Sequence, residues 1–135
     1  MKRTTVDALL AEARAGLERL SPLDVPEDAV IVDIRAESQR ARDGQVPGSQ
    51  FIARNVLEWR LDPTSEHRDP ELARDDRLLV LMCNEGYQSS LAAATLQQFG
   101  LNATDMVGGF QAWRAEGLPV EPLSGPGDPD KRRRS

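Results

Sequence analysis

The sequence predicts an α/β domain in which a mostly parallel sheet carries helices on both faces. Three observations predict it. Short apolar runs at 29–32 and 78–83, with a further short strand at 103–107, alternate with segments of helical period. These runs are continuous rather than alternating, as in strands covered on both faces. And 135 residues suffice for one substantial core but leave little room for a second.

Taken in order, Thr4 or Thr5 is placed to cap a first helix, with Val6, Leu9, Leu10, Ala13, Leu17 and Leu20 on one stripe and Ser21-Pro22 as its stop. Such an amphipathic arm, residues 1–24, must lie on the main domain, on a partner protein or on a second copy of the chain. Ala29 to Val32 is a buried strand that ends in Asp33. Ala36 to Arg42 forms a short helix closed by Gly44, and Gln45 to Gly48 a turn. Ser49 to Ala53 is a second short strand, and Asn55 to Leu61 one or two helical turns stopped by Asp62-Pro63.

Residues 62–77, which contain His67, form a polar surface connection. Leu78 to Met82 has the marks of the central strand, and Asn84 to Gln88 is a loop. Ser89 and Ser90 open a helix that runs to Gly100 with Leu91, Ala92, Thr95, Leu96 and Phe99 on one face. Ala103 to Val107 is the next strand, Gly108-Gly109 a tight turn, and Phe110 to Glu116 a last helix. The main domain thus spans 25–122. Segment 123–135 is rich in Gly and Pro and then basic, and reads as a solvated end. Trp59 and Trp113 are expected in the core.

Composition excludes several function classes. One Cys and one His preclude an internal disulfide and an ordinary four-ligand zinc site from a single chain. The apolar run at 78–83 is far short of a membrane span, and the first 20 residues lack a signal-peptide core. A cytoplasmic protein with a reduced thiol is expected. Lys131 to Arg134 hold four of the 17 cations, so residues 1–130 carry a net charge of −9. An acidic body of this kind does not offset phosphate charge, which excludes nucleic acid as a partner.

Cys83 is the residue that points to chemistry. It lies where a buried strand meets a tight glycine-containing loop that leads into a helix, and parallel sheets place their ligands at the carboxyl ends of strands. Successive N–H groups of so short a bend, Asn84, Glu85, Gly86, Tyr87, Gln88 and Ser89, can converge on its centre as an anion-binding nest. The free N–H groups and dipole of the following helix reinforce them. Such a site favours the thiolate and cradles an anion bound to the sulfur. Asp33 and Arg35 flank it from a neighbouring strand end, where an ion pair that holds the strand ends is the simpler role. Arg54, just past the second strand, is a candidate to lend the positive charge that the loop lacks.

Four segments of the chain are similar to the rhodanese domains, the persulfide-forming sulfurtransferases. Cys83 to Ser89 resembles their active-site loop, and Val30-Ile31-Val32-Asp33-Ile34-Arg35 their first strand with its Asp-x-Arg ending. Gly44-Gln45-Val46-Pro47-Gly48-Ser49 resembles their Gly-His-Ile-Pro-Gly-Ala turn, and Val107 to Trp113 their closing Gly-Gly-x-x-x-Trp segment. The resemblance covers residues 25–121 and implies a five-stranded parallel sheet. It also implies that Cys83 takes a sulfane sulfur from a small donor and passes it to a thiol or protein acceptor, with no cofactor and no metal.

Two departures matter. Gln88 stands where many members carry Arg, and Glu85 adds an anion to the loop, which disfavours thiosulfate as the natural donor. Gln45 replaces the common His of the turn. The related cysteine phosphatases have a longer loop that ends in Arg; here the sixth and seventh residues after Cys83 are Ser89 and Ser90, so a phosphate has no guanidinium partner. A redox role would call for a resolving cysteine, and the chain has none. A non-catalytic binding module on the same fold is the remaining alternative.

Overall fold

The strands form where apolar residues can be covered on both sides. The computed structural model describes residues 3–123 and contains four parallel strands: β1 (Val30–Asp33), β2 (Gln50–Phe51), β3 (Leu79–Met82) and β4 (Ala103–Asp105). Their order in the sheet is β2-β1-β3-β4, with Asp33 opposite Met82 and Leu81 opposite Asp105. Alternate residues build two cores. Val30, Val32, Leu79, Leu81 and Cys83 join Leu57, Leu61 and Leu96 on one face. Ile31, Val80 and Met82 join Val46, Met106 and Phe110 on the other. Each such side chain stabilises the fold by about 2 kcal/mol on burial.

The helices are α1 (Val6–Ala15), α2 (Glu37–Asp43), α3 (Leu57–Leu61), α4 (Gln88–Gln98) and α5 (Gly109–Ala115), with single 3-10 turns at Pro22–Asp24 and Arg54–Val56. Helices α3 and α4 cover the first face of the sheet, and α5 the second. The sheet therefore has helices on both faces, as expected. It has four strands, not five. The position of a fifth is held by Leu20 alone, whose N–H donates to Asp105 O and whose carbonyl accepts from Val107 N–H beyond β4. Pro22 follows two residues later and has no N–H to continue a ladder.

The first helix is also shorter than its periodicity predicts. Thr5 Oγ1 caps it by accepting from Ala8 N–H at 3.1 Å, but it ends at Ala15 with Gly16 as its C-cap. Leu17 is buried in the core beyond that end, and Leu20 lies in the bridge. Helix α1 packs on α4, and Gln97 Nε2 donates to Gly16 O. Trp59 is 58% exposed, contrary to expectation. Leu57 and Leu61, four residues apart, take the inward side of the short α3 and leave Trp59 on the other. Trp113 is half-buried against the second core, and its Nε1 donates to Pro119 O at 2.8 Å.

In the polar connection His67 is exposed beside Glu66, while Leu72 and Ala73 are buried. The domain end at 122 falls just inside the described residues, and the Lys131 to Arg134 tail lies outside them. Among the described residues no helix is long and apolar enough to cross a membrane.

Candidate active site

Cys83 follows the last residue of β3, between the Asp33 end of β1 and the Asp105 end of β4. It is 2% exposed and forms the floor of an open cavity of about 240 Å3, walled by Gln39, Asn84, Glu85, Tyr87 and Gln88. The Gly86 N–H donates to Cys83 Sγ at 3.1 Å.

The loop is shaped from behind. Phe110 N–H donates to Cys83 O at 2.9 Å, and Gln111 N–H to Asn84 O at 3.1 Å. The Gly86 carbonyl accepts from Arg14 Nη2 at 2.8 Å and Arg19 Nη2 at 2.9 Å. All peptide bonds here are trans, so each carbonyl turned back sends the next N–H the opposite way. The N–H groups of Asn84 and Glu85 therefore point away from α5, and that of Tyr87 away from the arm.

Backbone packs on backbone to allow this. A Cβ at Gly109 would lie 2.4 Å from Cys83 O and 2.9 Å from Gly86 N, and one at Gly86 would lie 2.7 Å from Gly108 N. Both glycines also have positive φ, +58° and +88°. The Gly-Gly turn before α5 is thus the seat of the loop. Gln111 Nε2 further ties Asn84 Oδ1 at 3.0 Å to Asp43 Oδ2 at 3.2 Å, which joins the loop to the end of α2.

The two strand-end carboxylates are fully buried, and each is surrounded by donors. Asp33 accepts from Arg35 Nε at 3.1 Å and Nη2 at 2.8 Å, and from Arg40 Nε at 3.1 Å. Arg35 Nη2 reaches on to Gly44 O, Arg40 Nη2 to Gln45 Oε1, and the Arg35 guanidinium lies 3.8 Å over the Phe110 ring. Among the described residues Arg35 Nη1 has no hydrogen-bond partner; the ring supplies its electrostatic one. Asp105 accepts from Arg19 Nε and Nη2 and from the hydroxyls of Ser89 and Ser90, both at 2.8 Å.

The residues singled out in the sequence divide accordingly. Cys83, Asn84, Glu85, Tyr87 and Gln88 come together around the cavity, with Gly86 and Ser89 behind it. Asp33 and Arg35 pair with each other and do not line it. Arg54 pairs with Glu58 at 2.9 Å and does not line it either. Arg14, Arg19, Arg40 and Asp105 were not anticipated. A charged residue inside the apolar 103–107 run was the available signal, because a buried carboxylate requires partners.

Comparison with known proteins agrees with this architecture. A curated sulfurtransferase from Allochromatium vinosum is 30% identical over 95 residues, which covers 70% of this chain and 79% of that protein. A solved structure from Rhodopseudomonas palustris, described as a protein of unknown function and possible tyrosine phosphatase, is 38% identical. It superposes with a TM-score of 0.81 over 90% of this chain and 99% of that one. A rhodanese-related protein from Thermoplasma volcanium is 25% identical with a TM-score of 0.62, covering 76% of this chain and 96% of that one. With the model of the rhodanese-like domain matching residues 11–116, the chain belongs to the rhodanese-like domain family.

Proposed function

We propose that the protein is a sulfurtransferase that carries a sulfane sulfur as a persulfide on Cys83. The observation that carries this reading is a lone thiol on the floor of a cavity, with the Gly86 N–H aimed at its sulfur. In the first step the Cys83 thiolate attacks the outer sulfur of a donor persulfide, RSSH. The donor S–S bond breaks, the Cys83 Sγ–S bond forms, and RS⁻ leaves with the electron pair. In the second step an acceptor thiolate attacks the outer sulfur, takes it as a new persulfide and returns Cys83 as thiolate. The Cys83 sulfur is negative before the first step and again after the second, and the persulfide between them is negative once its outer SH has lost its proton. Amides held in place before the reaction stabilise such charge without reorganising.

The charge of the cavity bears on the donor. Among its lining residues the one charged side chain is Glu85, which is exposed. A small dianion such as thiosulfate, whose charge all sits on the reacting group, is repelled there more strongly than a persulfide of a thiol or a protein, whose other charges lie away from the reacting sulfur. The same carboxylate, with no guanidinium beside it among the described residues, argues against phosphoryl transfer, the activity suggested for the Rhodopseudomonas palustris relative.

The test is mass spectrometry of the intact protein after incubation with glutathione persulfide, cysteine persulfide and thiosulfate. The wild type should gain one sulfur atom, which cyanide or a small thiol removes, and Cys83→Ser should gain none. No gain from any donor would overturn the reading and leave a binding module on this fold.

A further inference from the structure

The N-terminal arm does more than cover a helix. Two of its arginines, Arg14 and Arg19, converge on one acceptor, the Gly86 carbonyl, from residues 72 and 67 positions away in sequence. Two guanidinium groups at a single oxygen repel each other, and the fold supplies what offsets this. Asp105 is fully buried and takes Arg19 through two hydrogen bonds, at 2.9 and 3.1 Å. The side chain of Arg19 is only 18% exposed, so water screens these charges little. Arg14 Nε also donates to Ser90 Oγ at 3.0 Å, in the first turn of α4, and its guanidinium lies 5.8 Å from the centroid of the Tyr87 ring. One side chain thus touches the loop carbonyl, the helix start and the wall of the cavity.

We propose that Arg14 and Arg19 are positioning residues of the Cys83 loop, holding and polarising the 86–87 peptide so that its N–H end faces an anionic sulfur on Cys83. A charged donor at the carbonyl end of a planar peptide strengthens the positive end opposite. The two cations therefore act through the peptide and not by touching a ligand, since neither lines the cavity. This arrangement deepens the sulfur-transfer reading and, in that part, rests on it. It supplies positive potential to a loop without a cation of its own, yet offers a small dianionic donor no ion pair. Selectivity for uncharged or protein-borne persulfides follows from placing the charge behind the loop.

The experiment compares Arg14→Ala, Arg14→Lys, Arg19→Lys and Gln97→Ala with the wild type. The readouts are the rate of Cys83 alkylation by iodoacetamide, a neutral probe, the amide resonance of Tyr87 and the melting temperature. Arg14→Ala should slow alkylation about tenfold, the usual weight of a hydrogen bond from a charged donor, and should move the Tyr87 amide resonance. Arg14→Lys, which reaches the carbonyl but not Ser90 as well, should recover part of that rate. Gln97→Ala releases the arm at Gly16 without touching the loop, and should alkylate at the wild-type rate even if it melts earlier. Arg19→Lys leaves Asp105 short of one donor; should it fail to fold, the Arg14 pair still decides.

Alkylation of Arg14→Ala at the wild-type rate would overturn the proposal, as would equal slowing in Gln97→Ala. The probe needs no sulfur donor. A wild type that takes up no sulfur but alkylates in an Arg14-dependent way would refute the transfer reading and keep the positioning one.

Discussion

Gly109→Ala is the substitution that separates the seat of the loop from the rest of the fold. Gly109 has φ +58°, and an added Cβ would lie 2.4 Å from Cys83 O, 2.9 Å from Asn84 C and 2.9 Å from Gly86 N. All three are backbone atoms, so no side chain can rotate away. The left-handed conformation costs an alanine about 1–2 kcal/mol. Relieving the contact moves the loop off α5 and strains the bonds from Phe110 N–H and Gln111 N–H, about 1 kcal/mol each. Together these come to about 3–4 kcal/mol, or a fall in melting temperature of about 10–15 °C for a domain of this size.

Gly100→Ala is the control. Its φ is +84°, but nothing lies within 4 Å of the added carbon, so it bears only the conformational cost of about 1–2 kcal/mol. Both variants are followed by thermal unfolding and by the rate of Cys83 alkylation. The expected result is a large fall in both quantities for Gly109→Ala and a small fall in stability alone for Gly100→Ala. Equal losses in the two variants, or an unchanged alkylation rate in Gly109→Ala, would show that the Gly-Gly turn does not shape the loop.

Two further outcomes follow from charges near the site. Glu85→Gln and Glu85→Arg should raise turnover with thiosulfate, by about fivefold for the neutral variant, and should change turnover with glutathione persulfide much less; equal gains with both donors would mean that Glu85 acts on the thiol. Asp43 is held below its ordinary value of 3.8, first by the hydrogen bond from Arg42, with burial opposing and Gln111 and the Arg114 charge assisting. Its contribution to stability should be full above the unfolded carboxylate range and lost as pH falls through the lower folded value, so Asp43→Asn should flatten the acid limb of the stability curve.

What the sequence disclosed depended on how local the cause was. Leu79 to Met82 and Val30 to Val32 were legible because a strand buried on both faces reads as a continuous apolar run. The place of Cys83 was legible for the same reason, since the end of such a run is the end of the strand. The arm was misjudged in length. Leu17 and Leu20 fit the helical period, but one fills the core and the other bridges to Met106. Periodicity registers that apolar residues recur, not that the chain has turned; Gly16 was the stop signal, and the leucines beyond it outweighed it. Arg14 and Arg19 were the hardest to recognise: the strand's Asp105 called for a cation without identifying which, and the Gly86 carbonyl that they share leaves no trace in a sequence.

That last point bears on how charge is supplied to this fold. Cys83 sits between two buried carboxylates, Asp33 on one side strand and Asp105 on the other. Neither could remain charged and buried without donors, and each has gathered arginines: Arg35 and Arg40 at Asp33, Arg19 at Asp105. The carboxylates thereby fix four guanidinium groups, counting Arg14 through Ser90, and two of them, Arg14 and Arg19, reach the back of the loop at the Gly86 carbonyl. A cation inside the loop would meet any anion that entered the cavity and would choose among donors by charge. Arg14 and Arg19, behind the loop, act on the one sulfur that it encloses and leave the cavity wall to Glu85, Tyr87 and Gln88. On this argument the missing loop arginine is not a defect of the site but a transfer of its charge from the ligand's side of the backbone to the other.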